Sequence, residues 1–349
     1  MYSRRDFLEG TLKLVGGYCV LPKNGFLNSK LLTGNQLMTV SGPIASGETG
    51  FTLSHEHVIV DFIGAANVTR SRYDENIVFE KALPILQAAK TKGCNTFIDC
   101  TPAYIGRDVK LLKRLAIATG LNIITNTGYY GAAKEKYLPA HAYTETASQI
   151  ATRWIAEWGN GIEGSGIKPG FIKSGVDKYP LTEVQQKIVT AAALTHKATG
   201  LSIGIHTGDG KAAMEELKII SSAGVDPSAW IWIHAQNEKD RSVHLYAARA
   251  GGWVSFDGYT KVGVDDYIQF LNDMKKAGFL SKVLISHDSG WYHVGEDGGG
   301  NYRGYNDIID TLVPAMHKNG FTAGDIKTVF HINPANAFAI RKRLINPER

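Results

Sequence analysis

From residue 38 onward, short runs rich in β-branched and aromatic side chains alternate with longer segments in which apolar residues recur every three or four positions. The short runs fall at 52–60, 95–101, 122–128, 170–176, 201–207, 230–235, 252–259 and 282–289. Between them, 76–92 sets Ile77, Phe79, Leu83, Leu86 and Ala89 at helical spacing, and 183–199 follows the same rule. Strand and helix in alternation predict βα units and a parallel sheet. Eight units close most simply into a (β/α)8 barrel, an α/β fold of the TIM-barrel type, with an open doubly wound sheet as the alternative. A glycine-rich segment at 38–50 predicts an N-terminal β-hairpin that plugs the bottom of the barrel. Residues 38–346 then form a single domain, of a size such barrels reach routinely.

Composition agrees and removes several function classes. With 44% hydrophobic residues in 349, the chain can bury one large core. The formal charge of +5 is concentrated at the start: residues 1–30 hold five Lys or Arg against Asp6 and Glu9, a net +3, which leaves +2 for the rest. A body so nearly balanced carries no basic stripe, which excludes a nucleic-acid partner. Of three cysteines, Cys94 and Cys100 sit six positions apart in a predicted strand, about 20 Å from Cα to Cα, so no disulfide framework is implied.

Ser3-Arg4-Arg5-Asp6-Phe7-Leu8 resembles the twin-arginine export signature, with a modest apolar stretch at 12–21 behind it. That stretch is too short for a permanent membrane span. Residues 1–30 are therefore expected to be a leader that exports the folded protein to the periplasm; an ordinary solvated arginine pair on a cytoplasmic protein is the alternative. Lys13 interrupts the apolar stretch, and Tyr18 before Cys19 spoils a lipoprotein-type cleavage site.

The chemistry is expected at the C-terminal ends of the strands. The first strand carries Ser54-His55-Glu56-His57, and alternation points His55 and His57 into the barrel while Glu56 points away. Two imidazoles on one interior face are a poor choice for a core. Four more strands end on a candidate ligand: Lys173 in Gly170-Phe171-Ile172-Lys173-Ser174, His206 in Gly204-Ile205-His206-Thr207, His234 in Ile231-Trp232-Ile233-His234, and Asp288 in Ser286-His287-Asp288-Ser289. Converging imidazole and carboxylate suit Zn, Mn, Co or Fe, and the lack of thiolates argues against a structural zinc site. The other histidines, among them His141, His196, His244, His287, His293, His317 and His331, fall in helices, loops or outward-facing positions and are assigned no role.

The order H-x-H, Lys, His, His, Asp on strands one, four, five, six and eight resembles the phosphotriesterase family of the amidohydrolase superfamily. The resemblance runs over about 300 residues. It takes in Ile105-Gly106-Arg107-Asp108 after strand two and the closing Asn333-Pro334-Ala335-Asn336-Ala337-Phe338. It implies two divalent metal ions, zinc first among the metals named. His55, His57 and Asp288 would hold the buried one, and His206 and His234 the more exposed one. Lys173 would bridge both. A plain ammonium has no lone pair to offer, and the family's answer is carbamylation by CO2.

The resemblance further implies hydrolysis of an ester bond, in a lactone, carboxylic ester or phosphoester, organophosphate triesters included. A hydroxide bridging the two metals attacks, and Asp288 takes its proton. An amidohydrolase acting on an amide or N-acyl group is the alternative, because the same nucleophile attacks either carbonyl. Tyr130 resembles a tyrosine that family lactonases set against the metals, and with Tyr259 and Trp291 it is a candidate for binding the small-molecule ester. Where those lactonases carry an arginine after strand seven, this chain reads Phe256-Asp257-Gly258-Tyr259-Thr260-Lys261. The aromatic and glycine-rich loop 290–305 reads as a lid or as an oligomer contact. Family members are commonly dimers, so a homodimer is an expectation from the resemblance alone. A binding protein that had lost catalysis would lack a ligand, and all six positions are filled.

Overall fold

The computed structural model describes residues 35–346. The proposed leader at 1–30 lies outside the described residues. Among them, no helix is long and apolar enough to cross a membrane.

The chain begins with an antiparallel hairpin of β1 (Gln36–Thr39) and β2 (Gly42–Ala45). Next come β3 (Phe51–Val60), β4 (Cys94–Asp99), β5 (Asn122–Ile124) continued by β6 (Asn126–Thr127), β7 (Phe171–Gly175), β8 (Ser202–His206), β9 (Trp230–Ile233), β10 (Trp253–Phe256) and β11 (Val283–Ile285). These strands pair in parallel and in chain order. The last closes on the first: Ser54 Oγ donates to the Ile285 carbonyl at 3.2 Å, Asp288 N to the His55 carbonyl at 3.0 Å and His57 N to the Ser289 carbonyl at 2.9 Å. A short twelfth strand, β12 (Gly290–His293), extends this seam beside β3. The architecture is the (β/α)8 barrel expected from the alternation.

The two helices anticipated at 76–92 and 183–199 are Glu75–Thr91 and Glu183–Thr199, each opened by a side-chain cap, Asp74 on Asn76 N and Thr182 on Gln185 N. The core inside the barrel follows the alternation of side chains along strands. Ile98, Cys100, Ile124, Phe171, Ile231, Ile233, Trp253 and Leu284 meet there, with Leu37 from the hairpin and Phe338 from the closing element. Leu37 and Phe338 fill the bottom, so the hairpin is a plug as expected. Asn333 fixes that end by donating to the carbonyls of Leu280 (2.8 Å) and Val283 (2.7 Å).

Several strands stop short of their anticipated ends. Where 230–235, 252–259 and 282–289 were read as strand throughout, pairing ends at Ile233, Phe256 and Ile285. Two residues in these stretches turn out of the sheet: His234, directly after Ile233, has φ 65°, and Asp288, three past Ile285, has φ 52°. Such left-handed backbone is costly for residues other than glycine and collects at functional sites.

Gly128 shows how closely the top of the barrel is packed around Lys173. Its φ is 121°, and a Cβ there would sit 2.2 Å from the Lys173 carbonyl oxygen. Gly128→Ala is expected to lower the unfolding free energy by about 2–4 kcal/mol. Gly159→Ala, in open space within a helix, should be neutral or stabilising by up to about 1 kcal/mol. Denaturant midpoints of the two variants check the contrast.

Candidate metal centre

Alternation along β3 sends His55 and His57 inward, and their Nε2 atoms lie 3.3 Å apart. Asp288 arrives from the far end of the chain, its Oδ1 3.0 Å from His57 Nε2 and 3.6 Å from His55 Nε2. Three ligand atoms thus converge from the first and last strands. Lys173 on β7, His206 at the end of β8 and His234 just past β9 line the same cavity, of about 200 Å³. The His206 and His234 rings are 4.5 Å apart by centroid, and His234 stands 5.1 Å from His55. All six residues expected to form the centre are therefore together in one pocket.

What the sequence reading missed is the layer behind these ligands. Buried Asp257 lies just past β10, with Oδ1 2.6 Å from His234 Nδ1 and Oδ2 3.1 Å from His55 Nδ1, the second contact out of line for a strong hydrogen bond. It also accepts the His234 backbone N–H at 3.1 Å. The carboxylate thereby sets the His234 imidazole with its proton on Nδ1 and Nε2 free, and stands beside Nδ1 of His55. Thr101 does the same for His57: its hydroxyl donates to the Ile59 carbonyl (3.1 Å), so toward His57 Nδ1 (2.8 Å) it can only accept. The proton is then on Nδ1 and the lone pair on Nε2. Asp257 could have been found from strand parity, since it shares a face with Trp253 and Ser255.

The electrostatics suit cation binding. Burial pushes His206 well below the ordinary histidine range, helped by His234 and Lys173, so it stays a neutral donor. Burial also lowers Lys173. Its Nζ has no hydrogen bond or ion pair among the described residues and sits 5.6 Å from the Tyr130 ring centroid. Lys173 is thus a buried amine left without an acid. Desolvation alone would raise Asp288, but the surrounding imidazoles of His55, His57 and His234 outweigh it and hold the carboxyl below its usual range. Asp257 is held well down in the same way by His234 and His55. N and O donors with fixed tautomers, a free amine and an anionic carboxylate fit a pair of divalent cations.

Around the centre the lining is Val60, Phe62, Pro102, Ile105, Tyr130, Tyr137 and Trp291. Two of the three proposed substrate residues are there. Tyr259 is placed elsewhere: it is fully buried, its hydroxyl bonds Thr311 Oγ1 at 2.6 Å and its ring packs on Tyr267. The chain has left the strand by then, so parity no longer aims it at the pocket. Loop 290–305 is pinned by Tyr292, Tyr302 and Tyr305, all buried. The Tyr305 hydroxyl donates to the His57 carbonyl at 2.7 Å. Gly290 (φ 97°) lets this seam close, for a Cβ would fall 1.9 Å from that carbonyl oxygen.

A (β/α)8 barrel that gathers imidazoles and carboxylates at its strand ends defines a metal-dependent hydrolase. A sequence model of the phosphotriesterase family matches residues 35–338, and the chain belongs to that family. It is 28% identical to the phosphotriesterase homology protein of Escherichia coli, over 83% of this chain and 98% of that one. It is 27% identical to an aryldialkylphosphatase of Saccharolobus solfataricus (85% and 97%) and 28% identical to an N-acetyltaurine hydrolase of Dictyostelium discoideum (75% and 74%). Among solved structures, the organophosphorus hydrolase of Deinococcus radiodurans superimposes with a TM-score of 0.77 at 27% identity, covering 87% of this chain and 97% of that one.

Asp257→Asn keeps the shape but puts an amide where two imidazoles need an acceptor. Metal affinity, read by chelator competition, is expected to fall about 10- to 100-fold with the fold retained.

Proposed function

We propose that this protein hydrolyses a small, uncharged ester: a lactone, a carboxylic ester or a neutral phosphoester. The observation that carries the reading is the pocket. Beyond the metal-site residues its walls are apolar and aromatic; among the described residues the lining holds no acidic or basic side chain other than Lys173, Asp288 and the histidines, and Cys100 is a thiol that burial pushes well up. A substrate bearing its own charge would find no counter-charge outside the centre, and an unpaired buried charge is costly.

His55, His57 and Asp288 would hold one cation and His206 and His234 the second, with zinc the first choice and Mn, Co or Fe compatible with the same donors. Lys173 would bridge them as a carbamate, formed when its neutral amine adds to CO2 and gives up a proton. When bound, the cations supply Lewis acidity toward the substrate's carbonyl or phosphoryl oxygen and bring the attacking water toward ionisation at neutral pH. Asp288, anionic and facing the pocket, accepts the water's proton and returns it to the departing oxygen. Burial pushes the Tyr130 phenol up, so it remains a donor over this pH range. Trp291 contributes its ring to the wall, T-shaped against His57 at 5.0 Å between ring centroids. Phe62, Tyr137 and Trp291 exclude bulk water from one wall, Phe62 lying 5.4 Å from the Trp291 ring and 6.0 Å from that of Tyr137.

Action on an amide is the second reading, favoured by the N-acetyltaurine hydrolases among the relatives. N-Acetyltaurine carries a sulfonate, however, and among the described residues this pocket's walls offer it no lysine or arginine apart from Lys173. Initial rates on lactones, aryl esters, neutral phosphotriesters, N-acetyltaurine and N-acyl amino acids test the order. Turnover is expected on neutral esters, lost with a chelator and restored by Zn²⁺ or Mn²⁺. Turnover confined to the N-acyl substrates would overturn it.

A further inference from the structure

Glu56 is the residue between the two histidines of β3, on the face away from the pocket, and it is completely buried. Its carboxylate accepts four hydrogen bonds, all from one turn some 230 residues later in the chain. Oε1 takes Ser286 Oγ at 2.8 Å, His287 N at 3.1 Å and His287 Nδ1 at 2.6 Å, and Oε2 takes Ser289 N at 2.9 Å. The residue enclosed by these donors is Asp288. Its own N–H is tied to the His55 carbonyl.

We infer that Glu56 is a positioning residue that sets Asp288 for metal binding and proton transfer. The inference rests on the role given to Asp288 above. Wrapping 286–289 around one carboxylate bends the backbone so that Asp288 takes its left-handed φ of 52° and swings its side chain toward His55 and His57. Three donors meet Oε1 and a fourth meets Oε2, so both positions must accept, which a carboxylate does and an amide, with an NH2 at one of them, does not. The charge is not neutralised by a protonated histidine. His287 Nε2 accepts the Ile308 N–H at 3.0 Å, so Nδ1 carries the ring's single proton and His287 is neutral. Through that contact the support also reaches the start of the helix at Ile308. A buried anion compensated only by neutral donors is an expensive device for capping a turn. Its product here is the direction of one carboxylate.

The test is Glu56→Gln, alone and combined with Asp288→Asn, in the metal-loaded protein. Zn²⁺ affinity is read by chelator competition and stoichiometry by mass spectrometry, with kcat, KM and the thermal midpoint alongside. Glu56→Gln is expected to weaken one of the two Zn²⁺ sites by about 10- to 100-fold and to lower kcat, with KM within about twofold. It should add nothing on the Asp288→Asn background, because its effect passes through Asp288. A variant that melts earlier but keeps both zinc ions and kcat, or a double variant whose losses in zinc affinity multiply, overturns the inference. Should Glu56→Gln not fold, Ser286→Ala, which removes one of the four donors, replaces it in the same cycle with the same pattern at smaller size. Zinc affinity needs no substrate. A protein inactive on every ester would therefore refute the proposed function, while the coupled loss of zinc affinity would still support this role.

Discussion

An imidazole offers a lone pair to a cation only when its other nitrogen keeps the proton, and the top of this barrel is arranged around that constraint. Thr101 fixes it for His57, because its own proton is already spent on the Ile59 carbonyl. Asp257 fixes it for His234 and stands beside Nδ1 of His55. Each supporting group comes from a different strand from the histidine it serves, so the tautomers are correct only once neighbouring strands are in register. His206 is the exception, held between the rings of Tyr130 and His234. There, burial, helped by His234 and Lys173, keeps the ring neutral.

Most of the fold and the gathering of the six candidate residues in one pocket were legible in the sequence, chiefly because strands have a period of two. Alternation identifies the strands, and a polar residue at the inward position of a strand's last turn has nowhere to go except the site. The same rule failed where the backbone leaves the sheet. His234 and Asp288 lie beyond the last paired residue, so the strands are shorter than their composition suggests, and Tyr259, two residues past Asp257, turns into the core. Glu56 was read correctly as facing away. Its partners lie about 230 residues on, and no local pattern announces a contact of that separation. Asp257 was accessible to parity but was a lone acid in a strand with no second residue beside it to suggest a role.

The pocket and the family pull in the same direction without being equivalent. Membership in the phosphotriesterase family fixes the class of chemistry, and relatives named for phosphoester and for amide substrates show that the class is broad. The proposed preference for neutral esters rests on the wall of Phe62, Tyr130, Tyr137 and Trp291, which offers a substrate shape and apolar surface rather than a dedicated ion pair. Trp291 is held in that wall with φ 77°, a strained conformation sustained by the pairing of Gly290 with His57 and by the buried tyrosines of the same loop.

The seam between β3 and the end of β11 has a consequence for how the molecule comes apart. Its two sides are the first and last strands of the barrel, and His55, His57 and Asp288 face one another across it. A cation held there would act as a clasp: unzipping the barrel at its closure would require releasing the ion. Occupancy would then slow opening as well as shift the equilibrium toward the closed chain. During synthesis the clasp would remain unfinished until the eighth strand emerged, so a loaded centre would also report that the ring is complete.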